Sequence, residues 1–150
     1  MKATIIQQAP LRLIAAKVKS FPDGVAVAFD ELEARLETLR GRKFYGLVYS
    51  SGEGMKYYAA LVPTDAEEER SFVESGHAIL KVEGGPCVRV KLRDWESKKD
   101  QIGATFAAMI EEHGCDASRP QMEYYRSRSE LHLLLPVPTE VSGWMKGRRP

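Results

Sequence analysis

One carboxylate stands among aromatic and apolar side chains in the second half of the chain. Glu123 lies in the middle of segment 121–125, Gln-Met-Glu-Tyr-Tyr, which the sequence pattern predicts to be a strand. A carboxylate buried without a partner is costly and is driven toward its protonated form, unless a cation, hydrogen bonds or a wet pocket compensates. Two plainer alternatives are a glutamate that faces solvent on an exposed strand and a salt bridge to Arg126 or Arg128.

Aromatic residues are numerous near Glu123 and at two matched positions, Phe21 and Trp95, each just before a predicted helix. Aromatic faces around a carboxylate suit a flat organic cation, through stacking, cation–π attraction and ion pairing. Methionines such as Met109 and Met122 would add a pliable wall. The alternative is that these rings only fill the core. The candidate ligand-binding residues are Glu123, Phe21, Trp95, Tyr45, Met109 and Tyr125.

The potential metal ligands and nucleophiles do not form a recognisable motif. The three histidines are scattered, and His113 with Cys115 is the only close pair of potential ligands, where zinc would need two more. Cys87, on a predicted strand, is typical of a small core residue. The glycines form neither a P-loop nor a dinucleotide-binding motif. We therefore expect no metal and no cofactor, although a Cys–His pair that meets only in space stays open.

The chain repeats itself at a spacing of 74–75 residues, with four matching segments in the same order. The strongest match is the ending Val-Pro-Thr followed by an acid, at 62–65 and 137–140. In this alignment the counterpart of Glu123 is Val48, so a carboxylate replaces an apolar residue. We predict one domain over residues 1–150, with pseudo-repeats at about 11–65 and 86–140 and a basic tail at 141–150.

Each repeat is predicted to fold as strand, helix, strand, strand. In the first repeat these elements are a strand at 11–19, a helix from Asp23 to Arg40 ending at Gly41, and a hairpin of strands 44–50 and 56–62 around the turn 51–54. In the second they are a strand at 87–92, a helix from Ser97 to His113 ending at Gly114, and strands 121–126 and 130–136.

Three further features complete the prediction. Ser97 with Asp100 resembles a capping box, residues 66–70 indicate a solvated loop or a short helical turn, and residues 78–82 indicate another strand. Two amphipathic helices and six or seven strands bury their apolar faces by stacking the helices on one face of an antiparallel sheet. We therefore predict an α+β fold with a ligand cleft between the two helices.

Composition argues against nucleic-acid-binding and membrane-spanning proteins. The 150 residues carry 22 basic and 21 acidic side chains, for a net charge of +1, and 43% are hydrophobic. Near-zero charge in both halves argues against direct nucleic-acid binding. No apolar run is long enough to span a membrane. Two cysteines and no signal-peptide pattern favour a cytoplasmic location.

Together these residues resemble the GyrI-like small-molecule-binding domain, which is also the effector-binding module of multidrug-responsive transcription activators. The resemblance rests on the duplicated unit, the aromatic before each helix, segment 120–125 and the ending Leu-Leu-Pro-Val-Pro, and it covers about residues 5–140. It implies that Glu123 anchors lipophilic cations and that Phe21 and Trp95 border the cleft. The family's usual glycine two residues before the first aromatic is absent, since Lys19 occupies that place. No helix-turn-helix or coiled coil precedes the domain, so the chain resembles the stand-alone members.

Three functions follow as hypotheses. The first is a cytoplasmic protein that binds hydrophobic, cationic or planar aromatic molecules in order to sequester or sense them. The second is a hydrolase of cyclopropane-containing, DNA-alkylating natural products, as the resemblance implies, with Glu123 and Tyr125 (or Tyr124) as the catalytic residues. The third is an interaction module for a protein partner such as gyrase, with the acidic run 67–69 as its surface.

Overall fold

The architecture is that of a computed structural model, which describes residues 2–51 and 54–138. Gly52 and Glu53 of the predicted hairpin turn, the last two residues of the second predicted repeat (139–140) and the basic tail 141–150 lie outside the described residues. Within these ranges no helix is both long enough and apolar enough to cross a membrane.

In the described part of the chain, eight antiparallel strands form one sheet that curls into a half-barrel. The strands are β1 (Ala3–Gln8), β2 (Leu11–Lys17), β3 (Phe44–Ser51), β4 (Gly54–Leu61), β5 (Ala78–Val82), β6 (Gly85–Arg93), β7 (Gln121–Tyr125) and β8 (Glu130–Pro136). Their order across the sheet is β1-β6-β8-β7-β3-β4-β2-β5. The fold is therefore α+β with β7 and β3 side by side at its centre.

Helices lie against one face of this sheet. They are α1 (Val25–Ala34), α2 (Ala66–Glu74) and α3 (Ile102–His113), and a 3-10 helix at Trp95–Gln101 leads into α3. Directly paired residues share a face of a sheet, so the pairing of Gly46 with Ala59 and Glu123, and of Glu123 with Leu133, defines one face. Helices α1 and α2 pack in the core cluster that contains Ala59, and α3 packs in the cluster that contains Leu133.

The opposite face of the sheet has its own buried cluster. Its fully or nearly fully buried members include Leu13, Leu47 and Met122, and Tyr45 and Tyr124 stack beside them with ring centroids 4.9 Å apart. Both faces are thus apolar at the centre, which explains why the central strands read as nearly continuous apolar runs.

Most of the predicted strands are present in the structure, and several differ from the prediction by one or two residues at an end. The strands at 11–19, 87–92 and 121–126 are observed at 11–17, 85–93 and 121–125, and the 44–62 hairpin and the strands 78–82 and 130–136 match closely. Strand β1 was not predicted, which brings the strand count to eight rather than six or seven. Among the described strands, β1 pairs with β6 alone and lies at the sheet edge.

The helix predicted from Asp23 to Arg40 is wrong in its second half, because α1 ends at Ala34. The Arg35 guanidinium donates to the carbonyl and hydroxyl oxygens of Ser71 and lies 4.8 Å from the centre of the Phe72 ring. These contacts tie the end of α1 to α2 and turn the chain away from the helical path. Gly41 has a positive φ of 75° but therefore does not end a helix.

The second predicted helix begins differently and ends as expected. Residues 95–101 form a 3-10 helix, and Ser97 is not part of a capping box, because its hydroxyl donates to the Asp94 carbonyl oxygen. Gly114, with φ of 77°, ends α3 as predicted.

The acidic segment after the first repeat is a full helix rather than a loop or a single turn. The Asp65 side chain accepts a hydrogen bond from the Glu68 backbone N–H and caps α2. Two of the three glutamates of the acidic run 67–69 form ion pairs within the chain, Glu68 with Arg42 and Glu69 with Arg12. Glu68 and Glu69 therefore help to tie α2 to the segment before β3 and to β2.

Candidate functional site

Glu123 lies inside the molecule, on the helix-covered face of the central strand β7. It is 7% exposed and is paired with Gly46 of β3 and Leu133 of β8. Neither plainer alternative holds: the side chain does not face solvent, and no ion pair to Arg126 or Arg128, or to any other cation, forms within residues 2–51 and 54–138. The structure thus buries a carboxyl group without a counter-ion in its described part.

Two phenols replace the missing cation as partners. The hydroxyls of Tyr57, on β4, and Tyr125, on β7, both donate to Glu123 Oε1, the second at 2.7 Å. The two hydroxyl oxygens lie 3.3 Å apart. The register brings them together, because β3 alone separates β7 from β4 and both tyrosines point to the helix face. The result is a compact Glu–Tyr–Tyr cluster.

The space for this cluster depends on Gly46. A Cβ at this position would overlap the Tyr57 hydroxyl and lie 2.7 Å from Glu123 Oε1. Glycine inside a strand often marks such a close approach. Gly46 therefore lets the Tyr57 hydroxyl cross β3 to reach the carboxyl group.

Aromatic rings border the cluster on both sides. The Phe21 ring lies 5.5 Å from that of Tyr57, and the Trp95 ring lies 5.2 Å from that of Tyr125. Phe29 of α1 also packs edge-on against Tyr125 at 5.2 Å. The Trp95 indole N–H donates to the Ser127 carbonyl oxygen, which holds the ring in place, whereas Phe21 is 55% exposed.

Burial governs the ionisation of the cluster. Loss of solvation raises the pKa of Glu123 above its ordinary value, while the hydrogen bonds from Tyr57 and Tyr125 act in the opposite sense. Burial and the neighbouring carboxylate also raise the pKa of both tyrosines, so they remain hydrogen-bond donors. A carboxyl group with a raised pKa and no cation beside it is well suited to gain from an incoming positive charge.

The structure brings together most of the residues that the sequence singled out. Tyr125 binds Glu123, and Phe21 and Trp95 pack on the two tyrosines that donate to it. Met109, a fully buried residue of α3, packs in the same cluster as Trp95 and Tyr125. Tyr45 is the exception. It lies on the opposite face of the sheet against Tyr124, because residue 45 alternates with Gly46, and it cannot reach Glu123 from there.

Tyr57, Phe29 and Gly46 belong to the site but were not among the candidates. The signal for Gly46 was available, since it is a glycine inside a predicted strand. The role of Tyr57 was not readable, because it depends on the register between β3, β4 and β7.

Potential metal ligands and thiols were also located in the described residues. No group of three or more potential metal ligands is found among them. Cys87 is buried, and burial raises the pKa of its thiol above the ordinary value.

Comparison with solved structures places this fold among known ones. The protein SAV2435, solved bound to tetraphenylphosphonium, has a TM-score of 0.61 at 11% identity, covering 95% of this chain and 97% of that chain. A hydrolase from Listeria innocua has a TM-score of 0.57 at 19% identity, covering 91% and 92%. A candidate transcription regulation protein from Staphylococcus aureus has a TM-score of 0.58 at 12% identity, covering 91% and 98%.

The chain has the fold of these proteins. That likeness is consistent with the GyrI-like fold that the sequence resembles. No family model and no curated protein sequence matches the chain. At these identities the neighbours support the fold alone, so the function is argued from the site.

Proposed function

We propose that this protein is a GyrI-like binding protein for hydrophobic organic cations, with Glu123 as the anionic anchor. The observation that carries the proposal is a carboxyl group that is 7% exposed and has two phenol partners but no cation in the described part of the chain. In this proposal a ligand enters by the cleft predicted between the helices and reaches the Glu123 carboxyl group.

The physical case rests on charge and on aromatic surface. Two opposite charges attract far more strongly in a poorly solvated site than in water, so a lipophilic cation offsets the cost of ionising Glu123. The Phe21 and Trp95 rings, each packed on a donor tyrosine, offer faces for stacking and cation–π contact. We infer a sequestering or sensing role in the cytoplasm.

Tetraphenylphosphonium, the ligand that SAV2435 was solved with, is a suitable probe. Its affinity is measured by isothermal titration calorimetry and compared with that of uncharged triphenylphosphine oxide. We expect Glu123→Gln to weaken binding of the cation by about 1–3 kcal/mol and to change binding of the neutral probe little. The control is Glu111→Gln, which removes an exposed carboxylate on α3.

Two results would count against the proposal. If Glu123→Gln lowered the affinity for both probes equally, an ion pair with Glu123 would not explain binding. If no lipophilic cation bound saturably, the proposed binding function would be wrong.

A second candidate function is hydrolysis of strained, cyclopropane-containing electrophiles. It is favoured by the donor geometry at Glu123, with a fold neighbour that is described as a hydrolase as weaker support. Glu123 would take a proton from water as the water oxygen bonds to a cyclopropane carbon. The breaking carbon–carbon bond would send its electron pair to a conjugated oxygen, which Tyr125 protonates. The 2.7 Å hydrogen bond to Glu123 would then return the proton to Tyr125.

This alternative is tested by turnover. Substoichiometric protein is incubated with a spirocyclopropane dienone, and mass spectrometry follows the product that has gained one water. Turnover that is lost in Glu123→Gln would support hydrolysis. Tight binding of the compound without any reaction would support binding as the sole function.

A further inference from the structure

The two tyrosines donate to the same oxygen of Glu123, and this asymmetry has a consequence for ligand choice. Each carboxylate oxygen offers about two lone pairs. Tyr57 and Tyr125 both donate to Oε1, so the hydrogen-bonding capacity of Oε1 is filled by the protein itself.

The second oxygen is in the opposite condition. Oε2 accepts no hydrogen bond from any residue within 2–51 and 54–138. Among these residues, the side-chain atoms that are fully buried and lack a hydrogen-bond partner are Arg89 Nε and His113 Nε2. Glu123 Oε2 is not one of them, so it is not fully buried. The residual exposure of Glu123 therefore falls where Oε2 can meet a ligand.

We propose that Tyr57 and Tyr125 make the site selective for cations that present one N–H or none, and that they exclude amidinium and guanidinium groups. This inference rests on the proposed function, since it concerns which cations pair with Glu123. Amidinium and guanidinium bind a carboxylate through two parallel hydrogen bonds, one to each oxygen. With Oε1 occupied, one of their donors would be buried without an acceptor, which costs the desolvation of that donor.

Tertiary and quaternary ammonium or phosphonium groups avoid this penalty. A tertiary ammonium satisfies its single N–H at Oε2, and a quaternary cation has no donor to satisfy. The exposed aromatic surface of Phe21 is available to all of these ligands, so the discrimination arises at the carboxyl group.

The test uses three probes that share one aromatic ring system. They are N,N-dimethyl-1-naphthylmethylammonium, its trimethylammonium analogue and 1-naphthamidinium. Affinities are measured by calorimetry at a pH where all three are charged. We expect the native protein to bind each ammonium probe about tenfold more tightly than the amidinium.

Removing a donor should relax the selectivity. Tyr57→Phe or Tyr125→Phe frees a lone pair on Oε1, so the ratio of ammonium to amidinium affinity should fall at least about fivefold. Two independent variants guard against a folding defect in either, and each is checked by circular dichroism. The control is Tyr45→Phe, which loses a hydroxyl on the opposite face and should keep the native ratio.

The outcomes separate this inference from the proposed function. Cations that bind through Glu123 with equal affinity for ammonium and amidinium would overturn the selectivity alone. An unchanged ratio in both tyrosine variants would do the same. Failure of all three cations to bind, or binding that Glu123→Gln leaves unchanged, would overturn both.

Discussion

At the scale of single residues, the molecule stabilises a buried acid with neutral donors. Glu123 takes hydrogen bonds from two phenols, whose own pKa values burial raises. Neutral donors lower the cost of ionisation without supplying a countercharge, and burial still raises the pKa of the Glu123 carboxyl group above its ordinary value. A cation at the same place would have changed the site into a closed salt bridge with no capacity for a charged ligand.

The first prediction concerns stability against pH. Because the pKa of Glu123 is raised on folding from the ordinary 4.5, the folded state holds its proton more tightly, and stability falls as pH rises through the folded-state value. Glu123→Gln remains neutral and still accepts from both tyrosines. We expect the variant to match the native protein below pH 4.5 and to become progressively more stable than it above that pH, by about 1.4 kcal/mol per unit of pKa shift.

Urea denaturation at a series of pH values measures this difference, with Glu111→Gln as the control for removing an exposed carboxylate. A stability difference between the two proteins that stays constant with pH, or that shrinks as pH rises, would show that burial does not raise the pKa of Glu123.

The second prediction tests the space at Gly46. Gly46→Ala places a methyl group against the Tyr57 hydroxyl and 2.7 Å from Glu123 Oε1, so we expect a loss of about 1–3 kcal/mol in the free energy of unfolding. Gly103→Ala on α3 is the matched control, because a Cβ there meets nothing within 4 Å, and alanine should stabilise the helix by about 0.5–1 kcal/mol. Equal effects of the two changes on urea midpoints would contradict the close packing at β3.

These residues also mark how far the sequence predicts the site. Glu123 was recognisable because a carboxylate occupies the position where the other repeat has Val48. Phe21 and Trp95 were recognisable from their matched positions. Tyr57 and the misplaced Tyr45 were not, because only strand register decides which face a tyrosine of a two-sided apolar strand occupies.

At the scale of elements, periodicity located the strands and helices, and tertiary contacts decided where the helices end. The apolar spacing continues past Ala34 to Leu39 in the sequence, yet Arg35 turns the chain by binding Ser71 and stacking on Phe72. Helix α2 was missed for the opposite reason. Its apolar face is short, and Phe72 is its one buried residue in the structure. The acidic residues at its start therefore favoured a solvated loop or short turn in the sequence-based prediction.

The third prediction concerns the start of α2. Asp65 accepts from the Glu68 N–H at 2.8 Å, so Asp65→Ala should lower the free energy of unfolding by about 0.5–2 kcal/mol. Asp23→Ala is the control, because Asp23 lies just before α1, where no side chain caps the helix. If thermal denaturation finds the two variants equally stable, the cap contributes nothing.

At the scale of the whole molecule, the strand order is symmetric about the centre of the sheet, and the duplication itself stays a prediction. Reading outward from the central β7–β3 pair gives β8, β6 and β1 on one side and β4, β2 and β5 on the other. Each strand thus has a counterpart of the other half at the same distance from the centre. Leu47 and Met122, which are 75 positions apart, pair directly at that centre. This register matches the spacing read from the sequence and places Glu123 one residue from the proposed pseudo-twofold axis.

The fourth prediction links the ligand to the protons of the whole protein. If an organic cation binds the ionised form of Glu123, it must release the proton that the free protein holds at any pH below the raised pKa. Cation affinity should therefore rise with pH, by up to tenfold per pH unit below that pKa, and should level off above it. The other carboxylates with shifted pKa values have pKa values shifted downward, in the opposite direction from that of Glu123: Glu68, Glu69, Glu130 and Asp116.

Calorimetry in two buffers of different ionisation enthalpy measures the protons released per tetraphenylphosphonium bound. The count should approach one at low pH and zero at high pH, and it should be zero throughout in Glu123→Gln. Because the phosphonium has no proton of its own, any release must come from the protein. A binding event that releases no proton at any pH would mean that the cation does not pair with Glu123, or that the carboxylate is already ionised in the free molecule.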